Sequence, residues 1–381
     1  MTVAPPLDGI LVADFSRVLA GPLATMTLAD LGADVVKVER PGTGDDTRSW
    51  APPTTVDSRS TYFLSVNRNK RSLALDLATA GGRRTARELA LRADVLVENF
   101  APGTMERFGL GYHQLRDEHP ELVYASVTGF GRGEGAALPG YDFLVQAVGG
   151  LMSVTGPPGG EPTKVGVALV DVLAGQNLAT GVLAALLARQ RTGQGQRVEV
   201  TLLGSLLAGL VNQGSAYLNA GAVPGRLGNA HPSIAPYQTL RAADQPIALA
   251  VGTDAQFARL AAVVGRPDLA TDPRFATNPQ RVRHREALAS ALEERLGTRP
   301  AAEWVGALTA AKVPCGLVHR VDQAYALAEQ LGLAPVVVHA DGTASAASPL
   351  GLSSTPVSYR RPPPGLGEHT GEVQEWLADR S

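Results

Sequence analysis

A single cysteine in 381 residues, Cys315, leaves no pair for an intrachain disulfide and no thiolate set for a metal. That usage fits a reducing, cytoplasmic compartment. Charge is sparse and nearly balanced, with 18% charged residues and a formal net charge of −2. No global field therefore favours nucleic acid or an anionic membrane, and small-molecule partners are expected, although a local arginine cluster would still hold a phosphorylated ligand. Long apolar runs are missing too. The longest, Leu178 to Ala188, is preceded by Gln176 and Asn177 and followed by Arg189 and Arg191, and it falls short of the roughly 20 apolar residues that span a bilayer. The start, Met1-Thr-Val-Ala-Pro-Pro6, lacks the basic and apolar regions of a signal peptide, so export is not expected. Seven histidines lie scattered without ligand spacing, which leaves a metal site unsupported. Also absent are a Walker A sequence, a nucleophile-elbow pentapeptide and a His-Glu-x-x-His run.

What is present is ordinary globular composition, 44% hydrophobic, in a chain longer than one core usually serves, so two domains, or one large domain with an inserted one, are expected. Short apolar strands alternate with helical patterns: Ile10 to Ala13, a helix over Leu23 to Leu31, Val35 to Val38, Ser72 to Leu77, a helix over Arg83 to Leu91, Asp94 to Val97, a helix over Met105 to Glu118, and Leu122 to Val127. That alternation predicts an α/β fold with a mostly parallel sheet covered on both faces. A long Ala/Leu helix from about Leu173 to Arg191 follows, then a strand over Arg197 to Thr201 and a helix from Leu203. The Gly- and Pro-rich stretch Asn219 to Asn229 reads as a linker. Beyond it come a hairpin over Tyr237 to Val251, a helix after Thr253, and helices over His284 to Leu296 and Ala301 to Ala311. The expected division is 1–215 for the large domain, 225–312 for the small one, and 315–381 returning to the large one through a strand at Cys315 to Val321. A short terminal helix, Glu372 to Ala378, follows the Pro362-Pro363-Pro364 run.

The turn after the first strand, Asp14-Phe-Ser-Arg-Val-Leu-Ala-Gly21-Pro22, lacks the three-glycine dinucleotide fingerprint, which disfavours a nicotinamide dehydrogenase. Instead, basic and amide side chains gather at predicted strand ends: Arg17, Arg40, Asn99 with Phe100, Arg107, and Lys70-Arg71 within Asn67-Arg-Asn-Lys-Arg71. Guanidiniums pair with phosphates and apolar walls cover a purine, so this set suits a nucleotide carrying several phosphates; each residue alone also reads as solvated surface charge. Asp171 follows Val165-Gly-Val-Ala-Leu-Val170 and precedes a helix, a place for either a helix cap or a reactive carboxylate. The glycines Gly149-Gly150 and Gly156-Pro-Pro-Gly-Gly160 offer backbone N–H groups that can approach a thioester oxygen.

Several ordered runs resemble the class III CoA-transferase family, which includes formyl-CoA transferases and 2-methylacyl-CoA racemases. They are Pro6-Leu-Asp-Gly-Ile10 with Leu19-Ala-Gly-Pro22, Leu31-Gly-Ala-Asp-Val-Val-Lys-Val-Glu-Arg40, Asn69-Lys-Arg-Ser72, Glu98-Asn-Phe-Ala-Pro-Gly103, Arg189-Gln-Arg-Thr-Gly-Gln-Gly-Gln196, Asp272-Pro-Arg-Phe275, Val313-Pro-Cys-Gly316 and Leu366-Gly-Glu-His-Thr370. The resemblance implies a Rossmann-like large domain formed by both chain ends, a small inserted α+β domain, and a homodimer of two interlocked rings. By position, Asp171 resembles the nucleophilic aspartate, and Leu19, Ala20, Arg40, Leu75, Asn99, Phe100, Arg107 and Tyr141 resemble residues lining the coenzyme A (CoA) site. Pro139 stands where some transferases carry a CoA-contacting lysine, and the glycine-rich lid of the formyl-CoA enzymes is not evident.

The implied activity is transfer of CoA from a donor thioester to an acceptor carboxylic acid through aspartyl anhydride and aspartyl-CoA intermediates. CoA serves as part of the substrate and no tightly bound cofactor is needed. The alternative on the same fold, a 2-methylacyl-CoA racemase, uses a histidine in a Gly-His-Asp run. This chain reads Gly140-Tyr141-Asp142, and tyrosine, with an ordinary pKa of about 10, is a weak base. A CoA-binding protein without catalysis is the third reading, which the presence of Asp171 disfavours. The donor and acceptor acids are not legible.

Overall fold

The computed structural model describes residues 3–379. Two compact units divide the chain: 1–151, 165–222 and 334–381 form the larger, and 152–164 with 223–333 the smaller.

The larger unit is built on six strands, β1 (Leu11–Asp14), β2 (Asp34–Glu39), β3 (Lys70–Ala74), β4 (Val95–Glu98), β5 (Val123–Thr128) and β6 (Arg197–Thr201). All pair in parallel in the order β3-β2-β1-β4-β5-β6, the order of doubly wound nucleotide-binding sheets. Because side chains alternate along a strand, the four inner strands β2, β1, β4 and β5 each feed two cores. Val12, Val35, Val95 and Val123 pack on one face with Leu28 of the Ala20–Asp30 helix and Leu178 and Val182 of the long helix Leu169–Thr192. Ala13, Val36, Leu96 and Tyr124 face the other way, against Ala86 and Leu89 of the Ala80–Arg92 helix and Val373 and Leu377 of the terminal helix Thr370–Ala378.

The long helix has the length and apolar composition of a membrane span, a reach that the stretch Leu178 to Ala188 understated. It is nevertheless an internal element of this unit, since Val170, Ala174, Leu178, Val182 and Ala185 are buried in the sheet's core. Where it meets the Ala20–Asp30 helix, a Cβ on Gly175 would lie 2.7 Å from the Ala20 carbonyl oxygen. The absence of a side chain there lets the two helices touch.

Three details differ from the sequence reading. The segment Met105 to Glu118 is not one helix: Gly109, at φ 75°, breaks it into Thr104–Arg107 and Tyr112–Arg116. Asp171 lies inside the first turn of the long helix rather than before it. The strand at Cys315–Leu317 pairs antiparallel with Pro246–Ala250, so 315–333 counts with the smaller unit. Its Leu317 lies opposite Ile247, a buried member of the smaller unit's core, which draws the strand there.

The smaller unit holds a three-stranded antiparallel sheet, β7 (Tyr237–Arg241), β8 (Pro246–Ala250) and β9 (Cys315–Leu317), backed by the helices Asp254–Val263, Arg285–Leu296 and Ala301–Ala310 around Phe257, Phe275 and Trp304. Thr253 caps the first of these helices reciprocally with Gln256.

Candidate active site

Parallel sheets bind ligands beyond the carboxyl ends of their strands, at the point where strand order reverses. Here that point lies between β1 and β4. The loops after these two strands line two cavities that share Arg17 and Phe100. One, of about 230 Å³, is walled by Phe15, Arg40, Leu75, Leu77, Phe100 and Phe108. The other, of about 420 Å³, is lined by Leu19, Ala20, Asn99, Tyr141, Asp142 and Asp171 among others. All the expected site residues but Arg107 therefore meet at these two cavities. Arg107 is exposed, donates to Thr104 Oγ1 at 3.0 Å and lines neither.

The loop holding Phe100 is fixed from below. Glu98 at the end of β4 is buried, and its Oε2 accepts the Phe100 N–H at 2.9 Å. Burial pushes the Glu98 carboxyl up to about 7 against the hydrogen bond from Phe100. Asn99 accepts the Arg17 N–H at 2.9 Å and donates to the Arg17 carbonyl at 2.7 Å, which ties the β1 and β4 loops together. The Arg17 guanidinium stands 4.9 Å from the centre of the Phe100 ring.

Asp171 reaches the cavity from the first turn of the long helix. Asp142 Oδ1 accepts the Val170 N–H at 2.8 Å and the Asp171 N–H at 3.4 Å, so a second carboxylate caps this helix. Asp142 Oδ2 accepts from Gln146 Nε2 at 2.7 Å, and Gln146 Oε1 accepts the Val165 N–H at 2.9 Å, which braces the segment leading into the helix. Gly129 and Gly140 lie so close that a Cβ on either would meet the other's Cα within 2.5 Å, and this contact holds the Tyr141 loop against the end of β5. Burial first, and Asp142 second, push the Asp171 carboxyl up to about 7. The Tyr62 phenol belongs to the same neighbourhood. It packs with Leu19, Ala168 and Val172, and its pKa is raised by burial and then by Asp171 and Asp142, so it stays a neutral hydroxyl. A carboxylate so placed is poorly solvated, which is what a nucleophile toward an acyl carbon requires.

Sequence reasoning missed Tyr62, which no motif marks, and the capping role of Asp142, which acts on a helix N–H 28 residues further on and has no local signal. It also misplaced the basic run at Asn67 to Arg71. Arg68 grips Asp30 at 2.6 and 3.0 Å, Lys70 Nζ is fully buried 3.0 Å from Asp14, and Arg71 is paired with Asp34 and Glu372. These cations hold the sheet to its flanking segments and are not free for an anion. Burial lowers the Lys70 ammonium to about 8 even against Asp14. Pro139 lines the Asp171 cavity, Gly149 and Gly150 line neither cavity, and Gly156 to Gly160 belong to the smaller unit. Among the described residues no group of His, Cys, Asp or Glu is arranged to hold a metal.

Comparison with known proteins gives a consistent picture. The family described as CoA-transferase family III matches residues 7–370. The chain is 41% identical to the succinate–glutarate CoA-transferase of Agrobacterium fabrum, over 97% of this chain and 95% of that protein. It is 44% identical to the acetyl-CoA:oxalate CoA-transferase of Acetobacter aceti, over 82% and 80%. Among solved structures, a CAIB/BAIF family protein from Brucella suis is 40% identical and superposes with a TM-score of 0.89, covering 98% of this chain and all of that one.

Proposed function

The chain belongs to CoA-transferase family III and is an enzyme of that type, and on that premise we propose that it moves CoA between dicarboxylic acids with Asp171 as the nucleophile. The observation that carries this reading is the Asp171 carboxylate, partly buried at a helix N-terminus on the wall of a cavity that adjoins the one lined by Arg40, Leu75 and Phe100. The apolar walls Leu75, Leu77 and Phe100 suit a purine and Arg40 suits a phosphate. CoA laid from the first cavity into the second brings its thioester to Asp171. The names of the relatives above give succinate, glutarate, acetyl-CoA and oxalate, so each includes at least one diacid, and succinyl-CoA is the first donor to try.

In the proposed reaction Asp171 attacks the donor thioester, CoA leaves as thiolate, and a mixed anhydride forms. The thiolate then attacks the aspartyl carbonyl, releasing the donor acid and leaving an aspartyl-CoA thioester. The acceptor carboxylate attacks that thioester, forming a second anhydride and freeing the thiolate. Attack of the thiolate on the acceptor's acyl carbon completes the transfer and restores Asp171. The helix-capping Asp142, already engaged with two N–H groups and Gln146, is poorly placed to act as a base in a racemase.

A homodimer and a cytoplasmic location complete the proposal. Each unit carries a helix with apolar side chains that no other described residue covers: Val211, Tyr217 and Leu218 of the Val211–Ala220 helix in the larger, and Val321, Tyr325 and Leu327 of the Val321–Gln330 helix in the smaller. Such surface is what a second copy of the chain would cover, by the interlocking that the family resemblance implies. The test of function is a panel of CoA thioesters and free diacids followed by mass spectrometry. Exchange of CoA between diacids, abolished in Asp171→Ala, is expected. Exchange that persists in Asp171→Ala would overturn the reading.

A further inference from the structure

The turn after β1 runs against the preference of its own sequence. Val18 sits at φ 69°, in the left-handed region that a β-branched residue seldom enters and that persists only where the surroundings impose it. Four side chains hold the backbone around it. Asp14 Oδ1 accepts the Ser16 N–H at 3.0 Å, and Lys37 Nζ donates to the Ser16 carbonyl at 2.8 Å. Asn99 grips both polar groups of Arg17, and the two carboxylate oxygens of Asp45 accept the Val18 N–H at 3.3 and 3.2 Å.

Asp45 is itself held. It pairs with Lys37 at 2.8 Å, with both side chains closed to solvent, and accepts from the Thr47 N–H and Oγ1 at 3.0 and 2.8 Å. Its own N–H donates to Glu39 Oε2 at 3.0 Å, and Glu39 is gripped by Arg48 at 2.7 Å. Burial opposes the Asp45 charge, but Lys37 and the Thr47 N–H outweigh it and hold the carboxyl below its ordinary pKa. A buried ionic network of this kind is a weak way to gain stability.

The residues flanking Val18 are site residues: Arg17 lines both cavities, and Leu19 lines the one that holds Asp171. We propose that Asp45, backed by Lys37, is a positioning residue for CoA transfer, holding Val18 left-handed so that Arg17 and Leu19 face the cavities. This rests on reading the Asp171 cavity as the acyl-transfer site. Without the clamp, residue 18 relaxes toward an ordinary conformation, the following peptide rotates, and the wall around the thioester is lost.

The test is a double-mutant cycle read by CoA exchange from succinyl-CoA to glutarate. Glycine enters the left-handed region at no steric cost, so Val18→Gly should remove most of the need for Asp45. Asp45→Ala is expected to lower kcat/KM for the thioester about 30-fold alone but only about 3-fold in the Val18→Gly background. An equal loss in both backgrounds would assign Asp45 a purely structural role and overturn the inference. Melting curves run in parallel separate loss of fold from loss of position, and if Asp45→Ala does not fold, Asp45→Asn carries the same comparison. Asp171→Ala measured alongside keeps the two claims apart. Turnover by that variant sinks the site reading, whereas an inactive Asp171→Ala with an additive Asp45–Val18 cycle sinks only the positioning role.

Discussion

A carboxylate that attacks a thioester must be ionised yet poorly solvated, and Asp171, the proposed nucleophile, sits between these demands. Its pKa is raised to about 7 by burial and by Asp142. The helix N-terminus works the other way, but a first-turn carboxylate gains only about 0.3 to 1 kcal/mol from the dipole, less than the opposing terms. For the free enzyme, kcat/KM toward the acyl-CoA should therefore rise with pH through about 7 as Asp171 loses its proton. Asp142→Asn keeps an oxygen for the Val170 N–H while removing the neighbouring charge, so the rise should move to lower pH. An unmoved midpoint would exclude Asp142 as a cause. Linkage gives a second expectation. A carboxyl whose folded pKa is raised contributes stability that is present below its unfolded pKa and lost as pH rises through the folded value. Asp171→Asn should accordingly be more stable to unfolding than wild type at pH 8, by roughly 2 to 4 kcal/mol, with the gap closing toward pH 4. Equal stability at both pH values would mean the carboxylate is better solvated than its surroundings imply.

At the scale of elements, the site depends on how closely two helices approach. Gly175 lies one turn after Asp171, where the long helix meets Ala20 and Leu23 of the Ala20–Asp30 helix. Gly175→Ala places a methyl 2.7 Å from a backbone carbonyl that cannot rotate away, so the helices must part. Overpacking of this kind costs about 1 to 3 kcal/mol, and it also moves Asp171 away from Leu19. Turnover in Gly175→Ala should fall further than the melting temperature alone would predict, and activity close to wild type would show that the spacing is not critical.

Most elements were legible because their apolar periodicity agrees with the sheet: the Val-rich strands and the Ala/Leu helix carry local signals. Apart from the helix break at Gly109, a local glycine signal that was overlooked, the misread places are those where tertiary contacts decide. Nothing near Lys70 or Arg71 tells that Asp14 and Asp34, more than thirty residues away, will neutralise them. Cys315–Leu317 has no local mark of its partner, because strand pairing is a long-range choice settled by the Ile247 and Leu249 register. Of the site, Asp171 and the cavity walls were readable mainly through the family resemblance, whereas Tyr62 and the Val18 clamp become visible only in three dimensions.

At the scale of the whole molecule, the exposed apolar helices and the interlocking proposed for two chains make a physical statement about dissociation. Interlocked rings separate only if a chain unfolds, so light scattering on samples diluted to nanomolar concentration should find dimers throughout. A concentration-dependent monomer would fit two chains that merely abut and would contradict interlocking.

The central claim is that CoA passes through a covalent bond to Asp171, and the most direct measurement looks for that bond. The enzyme is mixed with succinyl-CoA without an acceptor, trapped with hydroxylamine, digested and mapped by mass spectrometry. A hydroxamate on the peptide containing Asp171, absent without the thioester, is expected. A hydroxamate on Asp142, Glu98 or any other carboxylate, or transfer of CoA with no modified peptide at all, would contradict the claim.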